Sequence, residues 1–259
     1  MSSSEVRVSK GARVVDRVIE NLGWGSLAAG IAGPLVRKDL FLPHRAGWEG
    51  FRLPDGAPVV ILEPFQGTIL YQLLVREGPL SPARAVEIIL QSAKGLRFLH
   101  ERRIVHQDLS KFNLTERGVI FDLGIAKIVE GPSFSCPPAG RGTAGYTAPE
   151  CFYGSGLPDP SFTADIFSLG CCLREMLAGR PAFPRVGKFT ALIDIRGYRI
   201  PPLLLSQDLP PSSGLTSDAA DSLGAIIYRM IAYDPRDRYQ KIDEVIEALE
   251  GWQKGRGAP

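Results

Sequence analysis

Beyond residue 80 apolar residues recur at helical spacing; before residue 57 no period lasts. Ala85, Ile88, Ile89, Leu96 and Leu99 share one helical face, the pattern of an amphipathic helix. Ser81-Pro82 supplies an N-cap with proline at the first helical position, so this helix is predicted from there to about Glu101. Further helices are predicted over 163–178, 217–231 and 240–252. Residues 57–65, Ala-Pro-Val-Val-Ile-Leu-Glu-Pro-Phe, read as a short buried strand ended by Pro64 and Gly67. Residues 112–122 read as a tight hairpin with its turn at Glu116-Arg117-Gly118. A loop rich in Gly, Pro and Ser covers 131–143, and residues 12–56 are rich in Gly and Pro. The boundary between a small, poorly patterned N-terminal part and a helical C-terminal part falls near Gln66-Gly67.

Composition narrows this picture only a little. The 259 residues are 44% hydrophobic, enough to bury a core as one large domain or as two lobes sharing a cleft. Thirty basic residues against 28 acidic ones leave a formal charge of +2, too balanced to suggest nucleic-acid or membrane binding. Cys136, Cys151, Cys171 and Cys172 show no metal-type spacing. The adjacent pair lies in an apolar helical stretch and reads as core. A reducing cytoplasm is the expected compartment. The first residues lack an apolar core of signal-peptide length, and nowhere do about 18 apolar residues run uninterrupted. The Ser-rich start and the tail from Lys254 are expected to fray.

The chemistry concentrates in one stretch. His106-Gln107-Asp108-Leu109-Ser110-Lys111-Phe112-Asn113 is followed nine residues after Asn113 by Asp122-Leu123-Gly124. Phosphoryl transfer asks mainly for positioning and charge neutralisation. A carboxylate must orient the attacking hydroxyl, and hard oxygen ligands must hold magnesium against the phosphates. Asp108 suits the first role, and Asn113 and Asp122 the second. The plainer alternative is that these are hairpin and turn residues, where Asp and Asn are common.

Together with later motifs, the stretch resembles the eukaryotic-type protein kinase family. His106-Gln107-Asp108 with Asn113 is similar to its catalytic loop, and Asp122-Leu123-Gly124 to its metal-binding triplet, with Leu for the usual Phe. Gly142-Thr143-Ala144-Gly145-Tyr146-Thr147-Ala148-Pro149-Glu150 resembles its Ala-Pro-Glu motif. Asp165-Ile166-Phe167-Ser168-Leu169-Gly170 resembles the start of its central C-lobe helix, and Asp234-Pro235-Arg236-Asp237-Arg238 its late Arg-bearing segment. The resemblance covers about residues 58–250. It implies an α+β, two-lobed kinase-like fold in one domain: a reduced β-rich N-lobe over about 12–65 and a helical C-lobe over 66–252. It also implies ATP and Mg2+ as cofactors and a protein substrate. Asp108 then orients the substrate hydroxyl, while Asn113 and Asp122 bind the ion. Thr143 shapes the floor under the substrate residue, Glu150 pairs with Arg238 in a buried bridge, and Asp165 holds the catalytic loop through backbone bonds. Glu63 and Phe65, on the strand that leads to the hinge, are placed at the adenine.

The departures from the family matter as much. Gln107 stands where many kinases have an Arg that receives a loop phosphate, so phosphorylation at Ser133, Ser135 or Thr143 has less to pair with. Activity that does not need that contact is the expectation. Ser110 replaces the Lys that touches the transferring phosphate; Lys111, one residue on, either reaches in its place or faces solvent. The spacing from Asn113 to Asp122 is about four residues shorter than usual, and losing two from each strand preserves the alternation of faces. The ligands are therefore still expected to converge.

The first 60 residues depart furthest. Gly23-Trp24-Gly25-Ser26-Leu27-Ala28 resembles an imperfect glycine-rich loop, and Lys38 stands where a nucleotide-contacting lysine is expected. Asp39 to Pro58 carries too many Gly and Pro for a full helix, so the helix that usually presents a Glu to that lysine is short or missing. Glu49 is the acidic candidate there. Residues 13–22 fit a helix as well as a first strand, and as a helix they offer Glu20. A partner completing the nucleotide pocket is a further expectation. Three functions stay open: a serine/threonine protein kinase, a pseudokinase that binds nucleotide or a partner without chemistry, and a small-molecule kinase of related fold. The Ala148-Pro149-Glu150 segment with Arg238 weighs against the third.

Overall fold

Helix α1 (Leu70–Glu77) begins three residues after Gly67, and its first amides are capped from a distant loop. Leu70 N–H donates to the Leu114 carbonyl at 2.8 Å and Tyr71 N–H to that of Lys111 at 2.9 Å. Those are donors a helix start cannot satisfy by itself. This geometry comes from a computed structural model that describes residues 67–123, 125–129, 142–151, 161–183 and 216–255. The strand expected over 57–65, the segments at 13–22 and 23–38, and most of the 131–143 loop lie outside the described residues.

Helix α2 (Pro82–Glu101) begins where the sequence places it, with the Ser81 hydroxyl accepting from Arg84 N–H at 3.4 Å. Its apolar face (Ala85, Ile88, Ile89, Leu96, Leu99) is buried. A two-residue pair follows, β1 (Ile104–Val105) antiparallel to β2 (Lys127–Ile128). Between them the expected hairpin contracts to a single bridge, Leu114 to Ile120, with Phe121 N–H on the Asn113 carbonyl at 3.1 Å. Its turn contains Gly118 with φ 74°, where a β-carbon would sit 2.5 Å from the Ile88 carbonyl oxygen. Glycine is thus required both by the backbone and by the contact with α2.

Helix α3 (Phe162–Ala178) is the axis of the lobe. It is buried almost all round, as expected of a helix apolar on every face. Cys171 and Cys172 belong to that core, and burial holds both thiols well above their ordinary pKa. Helices α4 (Ser217–Met230) and α5 (Ile242–Gly255) complete the lobe. The packing is α2 on α3 and α5, α3 on α4, and α4 on α5. Gly170 lets α3 approach the end of α4, since a β-carbon there would meet Met230 and Ile231 at 2.7 Å. Two short 3-10 turns, Pro149–Cys151 and Pro235–Asp237, were not expected from periodicity; three residues are too few to show one. No helix among the described residues is long and apolar enough to cross a membrane.

Candidate active site

The loop after β1 is held from below by one carboxylate. Asp165, in the first turn of α3 and fully buried, accepts His106 N–H at 2.8 Å and Gln107 N–H at 2.9 Å. The His100 Nε2 of α2 lies 3.0 Å from the same Oδ2 that His106 uses. Three donors on one buried carboxylate make a charge-assisted anchor. It helps hold Gln107 at φ 67°, a left-handed geometry that costs a non-glycine residue about 1–3 kcal/mol.

Above that anchor the polar groups converge. Thr143 Oγ1 donates to Asp108 Oδ1 at 2.7 Å, and Asn113 Nδ2 reaches Asp108 Oδ2 at 3.1 Å and the Asp108 carbonyl at 2.8 Å. The buried His106 ring ties the two sides together: Nδ1 accepts Asp108 N–H at 3.2 Å, and Nε2 faces the Phe121 carbonyl at 3.2 Å. An Nε2–H imidazole satisfies both contacts. Phe121 directly precedes Asp122, which is exposed and left-handed at φ 64°. Burial pushes the Asp108 carboxyl above its usual pKa, and the Asp122 charge adds to this. The hydrogen bonds from Thr143 and Asn113 and the His106 ring work in the opposite direction. Asp108 and Asp122 are thus electrostatic neighbours, and the shortened hairpin has not separated them.

Two ion pairs brace the surroundings. Arg238 forks onto Glu150 at 2.7 and 2.8 Å, both side chains fully buried. The rest of the guanidinium is satisfied by the carbonyls of Ala232, Tyr233 and Thr163. The second pair is Lys111 Nζ with Glu175 Oε1 of α3 at 2.5 Å. The other Glu175 oxygen accepts the Tyr146 hydroxyl. Burial above all, with the Glu175 charge adding, pushes that phenol far up, so it stays a donor.

Comparison with known proteins agrees with this geometry. Residues 51–249 match the protein kinase domain. The chain belongs to the protein kinase family. It is 32% identical over 194 residues to the serine/threonine-protein kinase PknB of Mycobacterium tuberculosis, covering 73% of this chain and 29% of that protein. The PknB of Mycolicibacterium smegmatis is 31% identical over 199 residues, covering 74% and 30%. A probable serine/threonine-protein kinase of Clostridium perfringens is 29% identical over 205 residues, covering 77% and 28%. The chain therefore spans about 30% of the length of these relatives.

Within the kinase fold, the described site residues sort as follows. Asp108 and Asn113 are joined by hydrogen bonds, and the Asp122 charge acts on Asp108. Glu150 and Arg238 pair as expected, and Asp165 holds the loop as expected. Thr143 does more than shape a floor, because its hydroxyl bonds Asp108 directly. Lys111 is a correction. Its ammonium does not face solvent, because a buried carboxylate on α3 captures it. Sequence reading also missed His100, the bridging role of His106, and Tyr146 with Glu175. His106 and Tyr146 lay inside motifs already recognised, whereas helical period treats His100 and Glu175 only as positions on a face. Gly23, Gly25, Lys38, Glu63 and Phe65 lie outside the described residues.

The residues present fit a magnesium nucleotide. Among the described residues no cluster of three His, Cys, Asp or Glu forms. A magnesium ion held by one or two carboxylates needs none, because nucleotide phosphates and water complete its shell. The bonds from Asn113 to Asp108 use its amide N–H groups, and its Oδ1 carbonyl is of the type that suits the ion.

Proposed function

We propose that the chain transfers the γ-phosphate of ATP to a serine or threonine hydroxyl of a protein, with magnesium. Asp108 would orient the hydroxyl and take its proton as the bond to the γ-phosphorus forms and the bond from that phosphorus to the oxygen of departing ADP breaks. Asn113 and Asp122 hold the ion, whose charge offsets that of the phosphates. Gly23, Gly25 and Lys38 contact the phosphates, and the backbone at Glu63 and Phe65 contacts the adenine. The reducing cytoplasm supplies the nucleotide, and a partner protein completes the pocket if the reduced N-lobe does not suffice. The observation that carries this reading is the convergence on Asp108. Each of its oxygens is held by a different segment, and a second carboxylate lies close enough to raise its pKa. The named relatives, all serine/threonine-protein kinases, support the choice of acceptor.

The test is incubation with γ-labelled ATP, magnesium and a basic protein, followed by identification of the labelled amino acid. Label on serine or threonine is expected, with transfer lost in Asp108→Asn. Labelled tyrosine alone, or equal transfer by the variant, would overturn the proposal. Nucleotide binding without any transfer would instead support a pseudokinase.

A further inference from the structure

Lys111 lies in the chain between Asp108 and Asn113, and it is fixed at both ends. Its carbonyl accepts Tyr71 N–H at 2.9 Å, and its ammonium sits 2.5 Å from Glu175 Oε1 with only 15% of the side chain exposed. The rings of Tyr71 and Phe112 stand 5.5 and 5.6 Å from that nitrogen and help keep water off it. A lysine is ordinarily a mobile, hydrated surface group. Here it is a mostly buried, oriented ion.

Glu175 has a second connection. Its other oxygen accepts the Tyr146 hydroxyl, and Tyr146 N–H donates to the Thr143 carbonyl at 3.1 Å. Thr143 in turn donates its hydroxyl to Asp108. One buried carboxylate therefore grips two segments that hold opposite oxygens of Asp108. Asn113 is on the Lys111 side, and Thr143 on the Tyr146 side. Because α3 is immobilised in the core, a shift at either grip moves one support of Asp108 relative to the other.

We propose that Lys111 is a positioning residue: through Glu175 and Tyr146 it locks the Asp108–Asn113 loop in register with the segment bearing Thr143. The inference rests on the phosphotransfer reading and adds the device that keeps the base aimed. A pair serving stability alone could be replaced by well-packed apolar groups without loss. A positioning pair could not, since a misplacement of about 1 Å costs up to roughly 10²-fold in rate.

The deciding variant is accordingly the double substitution Lys111→Met with Glu175→Leu, which removes both charges together and leaves neither unpaired. Because Glu175 also accepts the buried Tyr146 hydroxyl, the thermal midpoint should fall only by what one unsatisfied hydroxyl costs, while kcat falls about 10- to 100-fold, with KM for ATP changed less than about twofold. A stable double variant with wild-type kcat would overturn the proposal. Tyr146→Phe, which releases only the other grip, should lower kcat less, and adding it to the double variant should cost little more because the sites act as a unit. Losses that multiply would count against the clamp. Hydrogen exchange provides a readout that does not depend on turnover. In the double variant the amides of Asn113 and Thr147 should lose protection together; unchanged protection at both would overturn the clamp. If the wild-type chain transfers no phosphate, the proposed function fails while exchange still decides the clamp.

Discussion

Among the described residues, the buried carboxylates of the helical base have donors in place. Asp165 takes two backbone N–H groups and faces His100; Glu150 takes both prongs of Arg238. On the face above, charge is treated differently. Asp108 is bonded by two side chains, yet its pKa remains raised, and Asp122 is exposed with its backbone in a left-handed turn. The base spends its polar groups on holding the chain, whereas the face keeps two carboxylates close together at an electrostatic cost. That cost makes sense if a cation and a triphosphate relieve it. Under the proposed function, the acids that hold the chain lie in the base and the acids that act lie on the face.

Substitutions on the two sides should have opposite signatures. Asp108→Asn is expected to lower turnover by about 10² to 10⁴ without loss of stability. The sign follows from linkage. A carboxyl whose folded pKa is raised contributes stability below its unfolded pKa and loses that contribution as pH rises through the folded value. The amide should therefore unfold at the same or a slightly higher temperature near neutral pH; clear destabilisation would erase the contrast. Arg238→Ala is the mirror case, costing about 3–5 kcal/mol by leaving Glu150 buried and unpaired. Denaturant unfolding measures it, and a cost below about 1 kcal/mol would mean the base does not depend on this pair. Thr143→Ala sits between the regions and should slow turnover about tenfold. Its hydroxyl favours the ionised form of Asp108, so losing it should move the acidic limb of the kcat/KM profile to higher pH. An unmoved limb would show that Asp108 is not the group titrating. Ser81→Ala, which uncaps α2 far from the site, should cost about 0.5–1 kcal/mol and leave kcat unchanged.

The base was the more legible region. The period of α2 and the boundaries of α3, α4 and α5 follow from apolar spacing, because a buried helical face repeats its demand every three or four residues. Helix α1 and the β1–β2 pair escaped notice for the opposite reason. Two-residue strands carry no period, and α1 is started by carbonyls from Leu114 and Lys111, some forty residues later in the chain. At the site, the meeting of Asn113 with Asp108 was legible because the two come at a recognisable spacing. The partner of Lys111 was not legible, because position on a loop does not say where a long side chain ends. Only the folded chain brings Glu175 within 2.5 Å of it. Thr143 was placed correctly in the chain but given a weaker role, since a hydroxyl's partner depends on its rotamer.

The most direct test is magnesium-dependent phosphotransfer by the purified chain, compared with Asp122→Ala at matched folding. Wild type should transfer phosphate to protein in proportion to magnesium occupancy. The variant should lose transfer even at saturating magnesium, while its unfolding free energy stays within about 1 kcal/mol of wild type. Equal magnesium dependence and equal rates in the two proteins would contradict the account.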